Sequence, residues 1–172
     1  MDGAVDLAGF EADAAFSERE LRDALGSFAS GVTIVTAVGP RGPVGLTVSA
    51  FSSVSLDPPL VLVCVDRRCG SLSALEAAGA FAVNVLGAEQ AGIAAHYARR
   101  GSERFGEAGW RLSSHDLPVL DEALAVIECR RHAVHDGGDH RIFIGRVVGL
   151  SRRAADPLLL FQGSYRAVEG AG

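Results

Sequence analysis

The chain has 172 residues, 48% apolar and 22% charged, with a net charge of −5 and three cysteines. A chain of that length buries a sizeable core as a single domain, and its composition excludes wholesale disorder. An acidic balance without a block of basic residues excludes a nucleic-acid partner, and no apolar run approaches the roughly 20 residues of a membrane helix, so no membrane contact is expected.

Residues 1–15 are rich in Ala, Gly and Asp and lack a period, which predicts a flexible N-terminal arm ahead of one domain over 16–172. Ser17 and Glu20 have capping-box spacing, and Leu21, Ala24, Leu25 and Phe28 recur at helical intervals. A short amphipathic helix packed on the body follows from that pattern, ending at Ser30 and Gly31. From there the sequence turns to β. Residues 32–38 are largely β-branched, 39–43 form a Gly/Pro turn, and 44–51 make the second strand of a hairpin. Residues 60–65 read as a third, buried strand. A brief helix over 71–78 is capped by Ser71, and 80–86 return to strand.

Ile93, Tyr97 and several alanines predict a helix over 88–100, and 101–118 lack any period, which predicts a long loop. Residues 123–134 and 141–150 are strong strands joined by the turn 136–139, and 158–161 and 164–168 close the chain as short strands. About seven strands arrive mostly in hairpins, with about three helices. That is a mainly β class, an antiparallel barrel with peripheral helices. A doubly wound fold is disfavoured, because neither GxGxxG nor GxxxxGK[ST] is present.

The chemistry concentrates in few places. Thr47, Ser49, Ser53 and Ser55 fall at odd positions, so a strand through them turns small hydroxyl groups to one face, which suits a flat polar ligand. Asp57, Pro58 and Pro59 then stop the strand. In the loop 66–71, Arg67, Arg68 and the start of the following helix suit a phosphate, and a solvated turn fits equally well. Cys69 sits in that loop. His140 ends a turn, either as an exposed turn residue or as a hydrogen-bond donor and proton relay. His132 and His135, three apart on a strand, face opposite ways and do not share a metal. No serine lies in a GxSxG elbow. Three cysteines without CxxC, and no leader-like start, predict a reduced, cytoplasmic protein.

FASGVTIVT (28–36), GLTVSAFSSVSLDPPL (45–60), FAVNVL (81–86), GDH (138–140) with Ile144 and Gly145, and DPLLLF (156–161) with Gly163 and Tyr165 stand in an order and spacing that resembles the short-chain flavin reductases. These are the reductase components of two-component flavin monooxygenases. The resemblance covers residues 20–168. It implies an antiparallel Greek-key split β-barrel, a homodimer that binds FMN or FAD, reduces it with NADH or NADPH, and supplies reduced flavin to a separate oxygenase. Thr47, Val48, Ser49 and Ala50 would line the isoalloxazine with Ser53 nearby, their donors stabilising the charge that develops at N1 and O2. Asp66, Arg67, Arg68, Cys69 and Ser71 would form the phosphate segment, where Cys69 and Gly70 replace hydroxyl residues. Phe105 and Tyr165 would flank the flavin. His140 would stand at the nicotinamide as the catalytic histidine. Two alternatives keep the barrel: a flavin- or heme-binding protein without turnover, or an enzyme using tightly bound flavin on an organic substrate.

Overall fold

The computed structural model describes residues 16–99 and 109–168, so the expected arm and Phe105 lie outside the described residues. In chain order the elements are α1 (Glu18–Gly26), β1 (Ser30–Gly31), β2 (Thr33–Gly39), β3 (Gly42–Val48), β4 (Phe51–Leu56), β5 (Pro59–Asp66), α2 (Leu72–Ala77), β6 (Ala80–Val85) and a 3₁₀ turn (Ala88–Gln90). Then follow α3 (Ala91–Tyr97), β7 (Trp110–Leu112), β8 (Pro118–Leu120), β9 (Ala125–Gly137), β10 (His140–Arg152), β11 (Leu158–Phe161) and β12 (Ser164–Ala167). No helix among the described residues is long and apolar enough to cross a membrane.

The main sheet has seven antiparallel strands in the order β3-β2-β6-β9-β10-β5-β4. Its two edge strands, β3 and β4, are consecutive in the chain and separated only by Ser49 and Ala50. Flat, such a sheet would hold its edges about 29 Å apart at about 4.8 Å per strand. Two linking residues reach only about 11 Å. The sheet therefore rolls into a barrel, and the Cys64 N–H donates to the Ala50 carbonyl at 3.0 Å across the seam.

This closure corrects the reading of 47–55 as one strand with a hydroxyl face. The chain breaks at Ser49 and Ala50 to cross the seam, and β4 restarts at the far edge, pairing with β5 through the Asp57–Pro58 turn. The barrel is filled by alternate residues of its strands, among them Val35, Leu46, Val48, Val61, Val63, Val65, Phe81, Val83, Cys129 and Phe143, with Leu75 of α2 packed against them. Burial pushes the Cys129 thiol up to about 12.

Two layers cover parts of the outside. Ile34, Ala94, Tyr97, Leu120 and Leu158 join the outer face of β2 to α3 and the small β1-β11-β12 sheet. Ala82, Leu117, Val119 and Val126 join β6 and β9 to β8. Asn84, fully buried, fastens β8 in place. Its amide donates to the Ile34 carbonyl (2.9 Å) and Thr36 Oγ1 (3.2 Å), and its Oδ1 accepts from the Leu120 N–H (2.8 Å).

Several expectations are corrected. The capping box of Ser17 and Glu20 is formed, yet α1 buries none of its residues: Leu21 and Leu25 are exposed, and so is Phe28 just beyond it. The helix is amphipathic by pattern without being packed on the body of its own chain. Ser71 does not cap α2 through its side chain; its hydroxyl turns to the Gly45 carbonyl instead. The expected helix 88–100 is a 3₁₀ turn followed by the shorter α3. The expected loop 101–118 contains β7, which pairs with β8 as a ribbon. Residues 60–65 are not buried on both faces: Val61, Val63 and Val65 enter the core, whereas Leu60, Leu62 and Cys64 alternate with them and are half-buried.

Candidate active site

A cleft of about 670 Å³ opens where the barrel seam lies, a size suited to a large cofactor. Its floor is residues 45–50, the end of β3 and the crossing link. The far wall is the end of β5 and the loop after it, contributing Cys64, Val65, Asp66, Arg68, Cys69, Gly70 and Ser71, and His140 closes one end. Tyr97, Ala98 and Arg99 at the end of α3 close the other side.

Gly45, Thr47, Ser49 and Ala50 put little side chain on the floor, and Leu46 and Val48 turn theirs into the core. A Cβ on Gly45 would lie 2.8 Å from Tyr97 Cε1, so glycine lets α3 seat its ring directly against β3. As an edge strand, β3 turns half of its N–H and C=O groups away from β2. Thr47 spends its hydroxyl proton on the Ala94 carbonyl (2.7 Å), which docks α3 and leaves the oxygen as an acceptor. Val48 is 5% exposed, its side chain in the core, so it offers the cleft backbone only. The Ser49 hydroxyl is half-buried at the cleft and makes no hydrogen bond among the described residues.

The far wall is a tight turn. Cys69 N–H donates to the Asp66 carbonyl (2.9 Å) and Leu72 N–H to the Cys69 carbonyl (3.1 Å). The Asp66 carboxylate accepts from the Arg68 N–H (2.7 Å) and from its guanidinium (Nη2 2.7 Å, Nε 3.1 Å). Those bonds hold the Asp66 carboxyl well below the usual carboxylate range and raise the Arg68 guanidinium further. The pair places the Arg68 guanidinium, partly exposed, at the wall of the cleft, where it can meet an anion. Opposite, His140 Nδ1 lies 2.6 Å from Asp139 Oδ1, and that bond lowers the Asp139 carboxyl. With Asp139 ionised, that contact requires the proton on Nδ1, which leaves Nε2 an acceptor in the neutral ring.

Of the expected site residues, Thr47, Val48, Ser49, Ala50, Asp66, Arg68, Cys69, Ser71 and His140 converge on this cleft. Three others do not line it. Ser53 lies exposed on β4, carried to the other edge strand by the seam crossing. Arg67 turns away to the β9–β10 turn, where it bonds the Gly138 carbonyl (3.0 Å) and the Asp136 carboxylate. Tyr165 packs with the layer of Ile34 and Leu158, where burial raises its hydroxyl pKa. Phe105 lies outside the described residues. Sequence reading missed Gly45, Cys64, Tyr97 and Arg99, which also line the cleft. The two-residue spacing of Cys64 and Asp66 on one strand was the available signal for the first wall; the approach of α3 had none.

The cleft fits a flat ligand with hydrogen-bonding edges and an anionic tail: a small-residue floor beside an edge strand, a tight turn with Arg68, and a hydroxyl and imidazole at hand. The family described as flavin reductase like domain matches residues 25–169. The chain is 43% identical over 149 residues to an FMN reductase (NADH), SmoA, of Agrobacterium fabrum, covering 87% of this chain and 85% of that protein. It is 41% identical over 169 residues to HsaB, the reductase subunit of a flavin-dependent monooxygenase of Rhodococcus jostii, covering 98% and 84%. Among solved structures, the Streptomyces globisporus NADH:FAD oxidoreductase SgcE6, in complex with NAD and FAD fragments, superposes with a TM-score of 0.84 at 39% identity, covering 89% of this chain and 93% of that one. Fold, cleft and likeness coincide, and the chain belongs to the flavin reductase-like family.

Proposed function

We propose that the cleft over residues 45–50 is the seat of an NAD(P)H:flavin oxidoreductase that takes FMN or FAD and supplies it, reduced, to a separate monooxygenase component. The observation that carries this reading is the convergence of the seam link, the 66–71 turn and His140 on one cleft although they are far apart in sequence. The chemistry supplied by the bound flavin is acceptance of a hydride from NADH or NADPH. The chain's task is positioning. The β3 edge offers backbone donors and acceptors to the ring, Ser49 adds its hydroxyl, Arg68 and the turn meet the phosphate, and the small floor leaves one ring face open. His140 orients the nicotinamide through Nε2. The three thiols, all unpaired, suit a reducing cytoplasm.

The assembly is a homodimer. On the outer face of β10 and β5, Ile142 pairs with Cys64 and Ile144 with Leu62, with Leu60 beyond. None of these residues belongs to the described core clusters, and the face runs directly into the cleft at Asp66 and His140. An apolar sheet face beside a site, bare in one chain, fits a second copy. The exposed Leu21, Leu25 and Phe28 add a second such surface.

Stopped-flow bleaching of FMN and FAD by NADH and NADPH tests the activity, and sedimentation tests the assembly. Clean flavin binding without reduction by either donor would sink the reductase reading. A monomer at micromolar concentration would sink the dimer.

A further inference from the structure

We propose that Arg67 is a positioning residue for the nicotinamide half of the site, acting through His140 rather than on a phosphate. The inference rests on the reading of the cleft given above and concerns a residue that faces away from it. Arg67 belongs to the 66–71 turn, but among the described residues every bond it makes goes to the tip of the β9–β10 hairpin. Its N–H donates to the Asp139 carbonyl (2.9 Å), its Nε to the Gly138 carbonyl (3.0 Å), and its Nη2 to the Asp136 carboxylate. The same Asp136 carboxylate is shared with Arg141, whose Nε lies 3.2 Å from Glu76 Oε1. One residue thus staples three positions of a tip whose next residue is His140.

The tip needs a staple. Gly137 and Gly138 stand side by side, and Gly138 has a φ of +67°, so the turn has little stiffness of its own. His140 takes its orientation from Asp139, which sits on that turn. A frayed tip would spread the imidazole over a range of positions, so a smaller fraction of the molecules presents it where the nicotinamide binds and the apparent affinity falls by that fraction. The neighbours divide the labour. Arg68 faces the cleft, paired with Asp66, which stands opposite His140 in the β5–β10 register. Arg67 ties that turn to the hairpin, so the two ligand-facing walls move as one body.

Arg67 and Asp136 are well exposed, so their ion pair adds little to global stability. A positioning role and a structural role therefore separate. The test uses the full chain with Arg67→Met, Arg67→Lys and Asp136→Asn, reading flavin Kd by fluorescence quenching, KM and kcat for NADH and NADPH, and amide exchange of residues 138–140. All three variants are expected to raise the nicotinamide KM at least fivefold, with flavin Kd within twofold and kcat at saturation within threefold. Arg67→Lys fails with Arg67→Met because a lysine cannot bond the Gly138 carbonyl and Asp136 together. Tip amides should exchange at least fivefold faster in each variant.

An anion contact gives the opposite pattern: Arg67→Met weakens flavin, Arg67→Lys rescues it, and Asp136→Asn tightens it. That result, or unchanged KM and exchange, overturns the proposal. If the wild-type chain binds flavin but reduces it with neither donor, the reductase reading falls on that measurement, while tip exchange still decides for or against the clamp.

Discussion

Gly45 offers the sharpest check of how the cleft floor is built. An alanine there places its Cβ 2.8 Å from Tyr97 Cε1 and 3.1 Å from Cδ1, and also 3.5 Å from Ile34 Cγ2. Carbon contacts settle at about 3.5–4.0 Å, so the ring must retreat by about 0.7 Å or more. Tyr97 is 4% exposed and packed with Ile34, Ala94 and Leu120, so the ring cannot swing into solvent and α3 must move with it. Overpacking of this kind costs about 1–3 kcal/mol. At about 2–4 °C per kcal/mol for a chain of this size, Gly45→Ala should lower Tm by about 4–8 °C for a 2 kcal/mol penalty. Because Tyr97 and the residues after it wall the cleft, flavin Kd should rise several-fold as well. Gly92, exposed on the same helix with open space at its Cβ, is the control. Gly92→Ala should raise stability by about 0.4–1 kcal/mol through the unfolded chain and leave flavin binding unchanged. Thermal melts with flavin titration read both variants. A Gly45→Ala protein that melts within 1 °C of wild type and binds flavin equally well would refute the claim that this contact sets the floor.

Three further outcomes are expected. Ser49→Phe, which fills the floor at the seam, should weaken flavin binding at least tenfold by fluorescence quenching; unchanged affinity would remove the floor from the site. Asn84→Ala strips the Leu120 N–H of its acceptor inside the protein, at a cost of about 1–3 kcal/mol, so urea unfolding should show a matching loss, and a loss below 0.5 kcal/mol would show that Asn84 does not hold β8. Asp66, Asp136 and Asp139 all titrate below their ordinary value through bonds to Arg68, Arg141 with Arg67, and His140. A lowered folded pKa means stability present above the unfolded value of about 3.9 and lost as pH falls through the folded values. Exchange of the 66–71 turn, held by the Asp66–Arg68 bonds, should therefore accelerate below about pH 4 after correction for intrinsic rates; no acceleration down to about pH 2 would count against these bonds.

How far the sequence alone could be read follows from the range of each determining interaction. Signals local to a few residues mostly held, the Ser71 cap excepted. The Ser17–Glu20 box formed, the Gly/Pro turn after β2 formed, and the hairpin around Gly138 formed where turn chemistry placed it. Signals about what lies against a face did not hold. Leu21, Leu25 and Phe28 carry helical spacing that states only that one side is apolar, not which body covers it. Residues 60–65 read as a buried strand, and the apolar run does not say what lies against each face. Three of them fill the barrel, and three form a face that no described core cluster claims.

The hydroxyl stretch 47–55 shows why a site can be legible in kind and wrong in extent. Alternation was sound for Thr47 and Ser49, which do stand at the cleft. It could not continue, because a seven-stranded sheet whose edges are consecutive in sequence must spend residues on crossing its own seam. Ser49 and Ala50 make that crossing, and a link that leaves the ladder resets the facing of everything after it. Ser53 is thereby delivered to the exposed edge. The same closure that moves Ser53 away brings Cys64, Asp66 and His140 to within one cleft of Thr47, a proximity created by the barrel and absent from every local pattern. Arg67 follows the same logic in reverse: a cationic side chain beside a second arginine in a turn is a reasonable anion contact until the hairpin 69 residues further on supplies a carboxylate and two carbonyls for it. Residue type set what each side chain could bond, and the barrel's closure decided which partner was within reach.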